Sequence, residues 1–161
     1  FTAAIRRISL TTATLLFIAY SVLNGITLSG VFIAYAWGSV ATVFLITAGT
    51  FATMALIGFT TKTDLSSMGK ILFMALIGLI IASVVNIFVK SSGVQLVLSY
   101  VGVLIFVGLT AWDTQKIKQM LLDAADTGET YQKIALLGAL TLYLDFINLF
   151  LYLLRIFGRR D

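Results

Sequence analysis

Apolar residues run in long unbroken stretches along this chain, and polar residues are largely confined to the intervals between them. A helix needs ~20 apolar residues to cross a bilayer core, and five stretches reach that length: residues 10–35, 40–59, 71–89, 94–112 and 134–157. They are too long, and alternate too little, to be strands of a membrane barrel. The pattern predicts an all-α, polytopic bundle of membrane helices, one transmembrane domain over residues 1–161 with five spans. The first stretch exceeds what a perpendicular crossing requires, so tilting or bending near Gly25 and Gly30 is expected. The chain has no proline, which rules out proline-kinked helices. No internal repeat supports an inverted-repeat transporter. Connections are short except for residues 114–133, a charged segment with Lys116, Lys118 and Lys133 among Asp123, Asp126 and Glu129.

Polar residues inside the spans break this pattern informatively. Asp145 lies midway along the last stretch, where a carboxylate costs at least ~2.5 kcal/mol even on lenient insertion scales. It needs shielding partners, and an ion or proton path is the default expectation. Gly138, Thr141, Asp145, Asn148, Tyr152 and Arg155 recur at steps of three and four, so they form one small-or-polar stripe on one helix face. The bland alternative is interhelical glue, in which Thr and Asn bridge helices for ~0.6 kcal/mol each. Glue suits Thr141, Asn148 and Tyr152; it suits Asp145 poorly, because a neutral residue would bond at lower cost. Asp113 ends the preceding stretch, and Thr110 on that stretch joins the supporting polar set.

Milder patterns mark the other spans. Ala41, Ala48, Ala52 and Ala55 suggest a small-residue packing seam. Tyr20, Asn24 and Thr27, and likewise Ser83, Asn86 and Lys90, could line a cavity or bond to neighbours. Asp64 precedes the third span as a helix cap, and Lys62 and Lys70 read as interfacial anchors.

Composition fixes the class. Of 161 residues, 60% are hydrophobic and 11% charged, whereas soluble domains hold ~25% charged residues. The net charge of +4 reflects loop bias and gives no reason to expect a nucleic-acid partner. With neither cysteine nor histidine in the chain, thiolate or imidazole metal sites, haem ligation and Ser-His or Cys-His catalysis are excluded for it. A metal would have to be a hard ion held by oxygens, such as calcium or magnesium. Alternating sides place Arg6, Arg7, Lys62, Lys70, Lys116, Lys118 and Lys133 together, against Lys90, Arg155, Arg159 and Arg160. The larger set belongs in the cytoplasm, which puts the N-terminal side of the first span there. The three C-terminal arginines run against this rule. A re-entrant last segment would remove the conflict, although residues 134–157 are long enough for a simple crossing. Because the chain opens at Phe1, a preceding N-terminal portion is expected.

Two stretches then become recognisable. Ala111-Trp112-Asp113-Thr114-Gln115-Lys116-Ile117, followed by Leu142-Tyr143-Leu144-Asp145-Phe146-Ile147-Asn148-Leu149-Phe150, resembles the bacterial branch of the transmembrane Bax inhibitor motif family. Thr60-Thr61-Lys62-Thr63-Asp64-Leu65-Ser66-Ser67-Met68-Gly69 and Phe73-Met74-Ala75-Leu76-Ile77-Gly78 are also similar. Trp112 departs from the family's more usual tyrosine before the aspartate. The resemblance implies seven spans in the complete protein, two of them N-terminal to this chain, with the last helix central. A family arginine that interacts with the aspartate pair belongs to that preceding part. It implies a bacterial inner-membrane protein that is not an enzyme, with no obligatory cofactor. The implied activity is a pH-sensitive calcium leak, with Asp113 and Asp145 as the pH-sensing, ion-gating pair and as possible calcium ligands. Lipid, calcium and protons are then the partners. Some relatives suggest instead a regulatory subunit of a membrane protease or stress complex. An intramembrane aspartyl protease is a weaker alternative, since the chain lacks both the Gly-x-Gly-Asp and the Pro-Ala-Leu elements.

Two buried carboxyl groups cannot both ionise cheaply and would titrate as a pair sharing a proton. Reaching each other raises a geometric difficulty. At 1.5 Å per residue Asp145 lies ~16 Å inside a span beginning at Ile134, whereas Asp113 sits near the boundary of residues 94–112. Contact requires offset helices, or a fourth helix that continues past Trp112 through the amphipathic segment 114–120. Otherwise Asp113 would merely pair with Lys116 one turn on.

Overall fold

The computed structural model describes residues 7–124 and 128–159, so Arg6, Asp126 and Arg160 lie outside the described residues. Five helices form: α1, Leu10–Ala34; α2, Trp37–Thr60; α3, Ser66–Val89; α4, Ser92–Asp123; and α5, Glu129–Phe157. All five are long and apolar enough to cross a membrane, and no strand occurs among the described residues.

Helix ends follow local chemistry. Ser9 Oγ accepts the Thr12 amide at the start of α1, and Ser91 Oγ accepts that of Val94 at the start of α4, the usual service of an N-cap serine. Asp64 Oδ1 accepts both the amide and the hydroxyl of Ser66, at 3.0 and 2.7 Å. This is the capping bond expected of it, made from one residue ahead of the N-cap position, Leu65. The helix α3 closes on Lys90, whose backbone is left-handed at φ 55°, and the chain reverses into α4.

The antiparallel pair α4 and α5 forms the centre; α2 packs against both, α3 against α4, and α1 against α5. The last helix is thus central, and α4 shares that position. The core joins Ile105, Phe106 and Leu109 of α4 to Leu149, Phe150, Leu153 and Leu154 of α5, with Val40 and Val43 of α2 and Leu79 of α3. Outer helices bury little: Ala13 alone in α1, and Gly69 and Leu79 in α3. Their exposed Ile, Leu, Val and Phe side chains suit a solvent of acyl chains. Every backbone group must then be satisfied within the helix.

Several sequence expectations shift. The apolar stretch 94–112 is embedded in a 32-residue helix, and the charged segment 114–133 is largely taken up by the end of α4, through Asp123, and the start of α5, from Glu129. The helix α1 is a single continuous helix. Ala41 and Ala52 are exposed; α2 packs through Val40, Val43, Thr47 and Gly58, a face turned away from the alanine seam. Small residues at helical spacing permit close packing but do not select which face receives a neighbour. The last helix runs unbroken for 29 residues, at least the length a simple crossing requires. Its end is tied to the α1–α2 turn, where the Ala36 amide donates to the Arg159 carbonyl at 2.8 Å and the Arg159 amide to Ser39 Oγ at 2.7 Å.

Candidate functional site

Close helix approach sets the register that builds the site. A Cβ on Gly138 of α5 would crowd the Ile117 side chain of α4, and one on Gly102 of α4 would crowd the Tyr152 ring of α5. Phe106 stacks on the same ring, with centroids 5.9 Å apart. In an antiparallel pair these contacts bracket Asp113 and Asp145, which therefore face each other. Their carboxyl groups are hydrogen-bonding neighbours, only 8% and 5% exposed. The geometric difficulty is resolved by the continuation of α4 past Trp112: ten residues, or ~15 Å, extend from Asp113 to the end of the helix.

Asp145 Oδ2 is buried without a hydrogen-bond donor. Two ionised carboxyl groups offer each other only acceptors. A proton or a cation between them supplies the missing bond and removes the repulsion. Among the described residues no third acidic side chain gathers with them. Lys116 does not close an ion pair on Asp113; its ammonium sits over the Trp112 ring, 5.0 Å from the centroid.

The supporting stripe lies on the expected faces but bonds differently. Thr141 donates to Leu137 O and Asn148 to Leu144 O, both at 2.9 Å. Thr110, fully buried, donates to Phe106 O at 2.7 Å. Each side chain satisfies itself on its own helix, so these residues line the pair's surroundings without bridging helices. Tyr152 does join helices, through its ring, and Arg155 lies over it at 5.3 Å. On α1, Tyr20 and Thr27 are exposed, and Thr27 donates to Leu23 O. Ser83, Asn86 and Lys90 do line a cavity, near the α3–α4 turn.

Sequence reasoning missed a clasp beside the pair. Gln115, two residues after Asp113, accepts the Leu65 amide at 2.9 Å and donates to Thr63 O at 2.7 Å. Lys118 donates to Phe59 O at 2.8 Å, at the end of α2. The indole of Trp112 occupies the space a Cβ on Gly69 would need, and a Cβ on Gly58 would overlap the Ala111 carbonyl. The two recognisable stretches, 60–69 and 111–117, are therefore pressed together, with the acid on the opposite face of α4. Adjacency of the motifs was the available signal, but pairing between segments fifty residues apart is invisible to periodicity. Asp64 belongs to the same loop, where hydrogen bonds from Ser66 hold its exposed carboxyl below the usual carboxylate range.

Comparison with known proteins agrees with this architecture. Inner membrane protein YbhL of Escherichia coli (strain K12) is 54% identical over 160 residues, covering 98% of this chain and 68% of that protein. A protein of Borreliella burgdorferi is 52% identical over 157 residues, again 98% of this chain and 68% of the relative. A membrane protein of Streptococcus pyogenes serotype M1 is 48% identical over 146 residues, 91% of this chain and 63% of the relative. The family described as inhibitor of apoptosis-promoting Bax1 matches residues 1–161. With five membrane-length helices around a facing acid pair and a match along its whole length, the chain belongs to that Bax1-inhibitor family.

Proposed function

We propose that this protein is a pH-sensitive calcium leak of the bacterial cytoplasmic membrane, gated by the Asp113–Asp145 pair. The observation that carries this reading is the buried contact of two carboxyl groups across the central helix pair. Such a contact persists only while a proton or cation lies between the oxygens. A shared proton staples α4 to α5. Its loss sets two negative charges against each other in a poorly hydrated interior, and the helices relieve this by separating or by admitting calcium. The result is a two-state element whose equilibrium both protons and calcium bias.

Calcium takes six to eight oxygen ligands. Two carboxylates supply part of that shell, so water or backbone carbonyls must supply the rest. Such a site suits an ion in transit better than a resident one, because affinity rises with the number of charged ligands. Membership of the family and the inner-membrane description of YbhL support the location. The excess of lysine and arginine at one end supports a cytoplasmic N-terminal side.

Calcium flux into liposomes, measured against pH, tests the proposal on the complete protein. Wild type should give a pH-dependent flux, and Asp113→Asn and Asp145→Asn should each flatten the profile, because neither variant can share a proton between two acids. Identical profiles for all three proteins would remove the pair from gating, and an absence of flux at every pH would remove the leak itself.

A further inference from the structure

A second polar site lies at the other end of the bundle, and the acid pair does not use it. A cavity of about 450 Å³ opens between the end of α3, the start of α4 and the last turn of α5. Lys90 and Arg155 line it from different elements, with Ser83, Asn86, Ser91 and Gln95, and among the described residues no carboxylate is part of the wall. Arg155 lies ten residues beyond Asp145, ~15 Å along α5. We propose that this cavity binds a phosphate anion, carried by the headgroup of an anionic phospholipid.

Three features converge on that chemistry. The walls carry two cations and neutral hydrogen-bonding groups, and a concave site lined by one sign of charge concentrates the opposite ion. The 32-residue helix α4 begins in the wall, its cap Ser91 already engaged with the Val94 amide. The amides of Ser92 and Gly93 head that helix, where the partial positive charge of the dipole favours an anion. The cations are also out of place by the usual rule: Lys90 and Arg155 sit at the end of the bundle opposite the larger lysine and arginine set. An anion between them accounts for that placement.

Depth and surroundings favour a lipid over a free ion. From Lys90 to Ser83 the wall descends seven residues, ~10 Å, enough to pass through an interfacial layer ~5–8 Å deep into the acyl region. Ile87, part of the wall, is exposed outward, as is the neighbouring Phe88, so acyl chains have an apolar surface to follow. Arg155 is held by its contact with the Tyr152 ring, which limits the side-chain freedom lost on binding.

The test is lipid binding to the complete protein, measured by native mass spectrometry with phosphatidylglycerol, phosphatidylcholine and inorganic phosphate as separate probes. Phosphatidylglycerol should bind more tightly than phosphatidylcholine, and Lys90→Gln and Arg155→Gln should each weaken it by about fivefold. Arg155→Lys should retain most of the preference, and Lys62→Gln with Lys70→Gln at the opposite end should leave it unchanged. Inorganic phosphate bound with the same dependence on Lys90 and Arg155, but no preference between the lipids, would identify the free ion as occupant of the same site. A preference for phosphatidylglycerol that survives the Lys90→Gln/Arg155→Gln double substitution overturns the assignment. So does the absence of both that preference and phosphate binding in wild type.

Discussion

Asp145 and Asp64 show how differently one side chain behaves in two surroundings. Asp64 is exposed and accepts two hydrogen bonds from Ser66. Its folded-state carboxyl is held below the ordinary value of ~3.9, so its support of the start of α3 is complete above that value. The support is lost as pH falls through the lowered folded value. Protection of the Ser66 amide, its exchange rate set against the intrinsic rate at the same pH, should therefore be highest near neutrality and fall as pH drops below ~4. In Asp64→Asn, which keeps an acceptor but cannot titrate, that fall should be absent. Asp145 is buried against another acid, and only a proton or cation can complete the contact. Its exceptional status was legible in the sequence, because a carboxylate amid apolar residues needs a reason to be there. Its partner was legible only as a candidate, since Asp113 looked like a boundary residue until α4 was seen to run on to Asp123.

Between elements, glycines and one glutamine decide how helices meet. A Cβ on Gly58 of α2 would overlap the Ala111 backbone, which cannot swing aside as a side chain could, whereas one on Gly49 of the same helix would meet no neighbouring element within 4 Å. Gly58→Ala should therefore destabilise the protein by about 1–3 kcal/mol, the usual cost of overpacking. Gly49→Ala should be neutral or stabilise by up to about 1 kcal/mol, through helix propensity. Thermal unfolding in detergent would separate the two. Gln115 holds the loop between α2 and α3 onto α4 by two hydrogen bonds. Gln115→Ala should loosen that loop by about 1–3 kcal/mol, taking each bond at 0.5–1.5 kcal/mol, and faster proteolysis or amide exchange at residues 61–65 would report it. Sequence reasoning placed Gln115 within a recognisable stretch and passed over Gly58, and periodicity cannot say which distant segment a polar side chain will reach.

At the scale of the whole molecule, the bundle is fastened at its ends. The Gln115–Lys118 clasp closes one end, and the hydrogen bonds of Arg159 to Ala36 and Ser39 close the other. Beside the clasp, two residues before Gln115, the Asp113–Asp145 contact joins the central helices through polar groups inside a largely apolar interior. Orientation can be checked directly, because the chain contains no cysteine. With single cysteines introduced as Ser92→Cys and Gln119→Cys, a membrane-impermeant maleimide added to intact cells should label the first and reach the second only after lysis. The opposite pattern would invert the protein in the membrane.

The sequence by itself determined the class, the number of membrane-length helices in this chain and the carboxylate that had to be explained. Those properties depend on the length of apolar runs and on the free energy of moving each residue type from water into hydrocarbon, which are local. Only the tertiary structure decided that α4 shares the centre with α5, that α2 presents Val43 and Thr47 instead of its alanines, and that Asp113 meets Asp145. Lipid solvates an apolar helix face about as well as a neighbouring helix does. Hydrophobicity alone therefore cannot choose among faces, and shape, register and a few polar contacts make the choice.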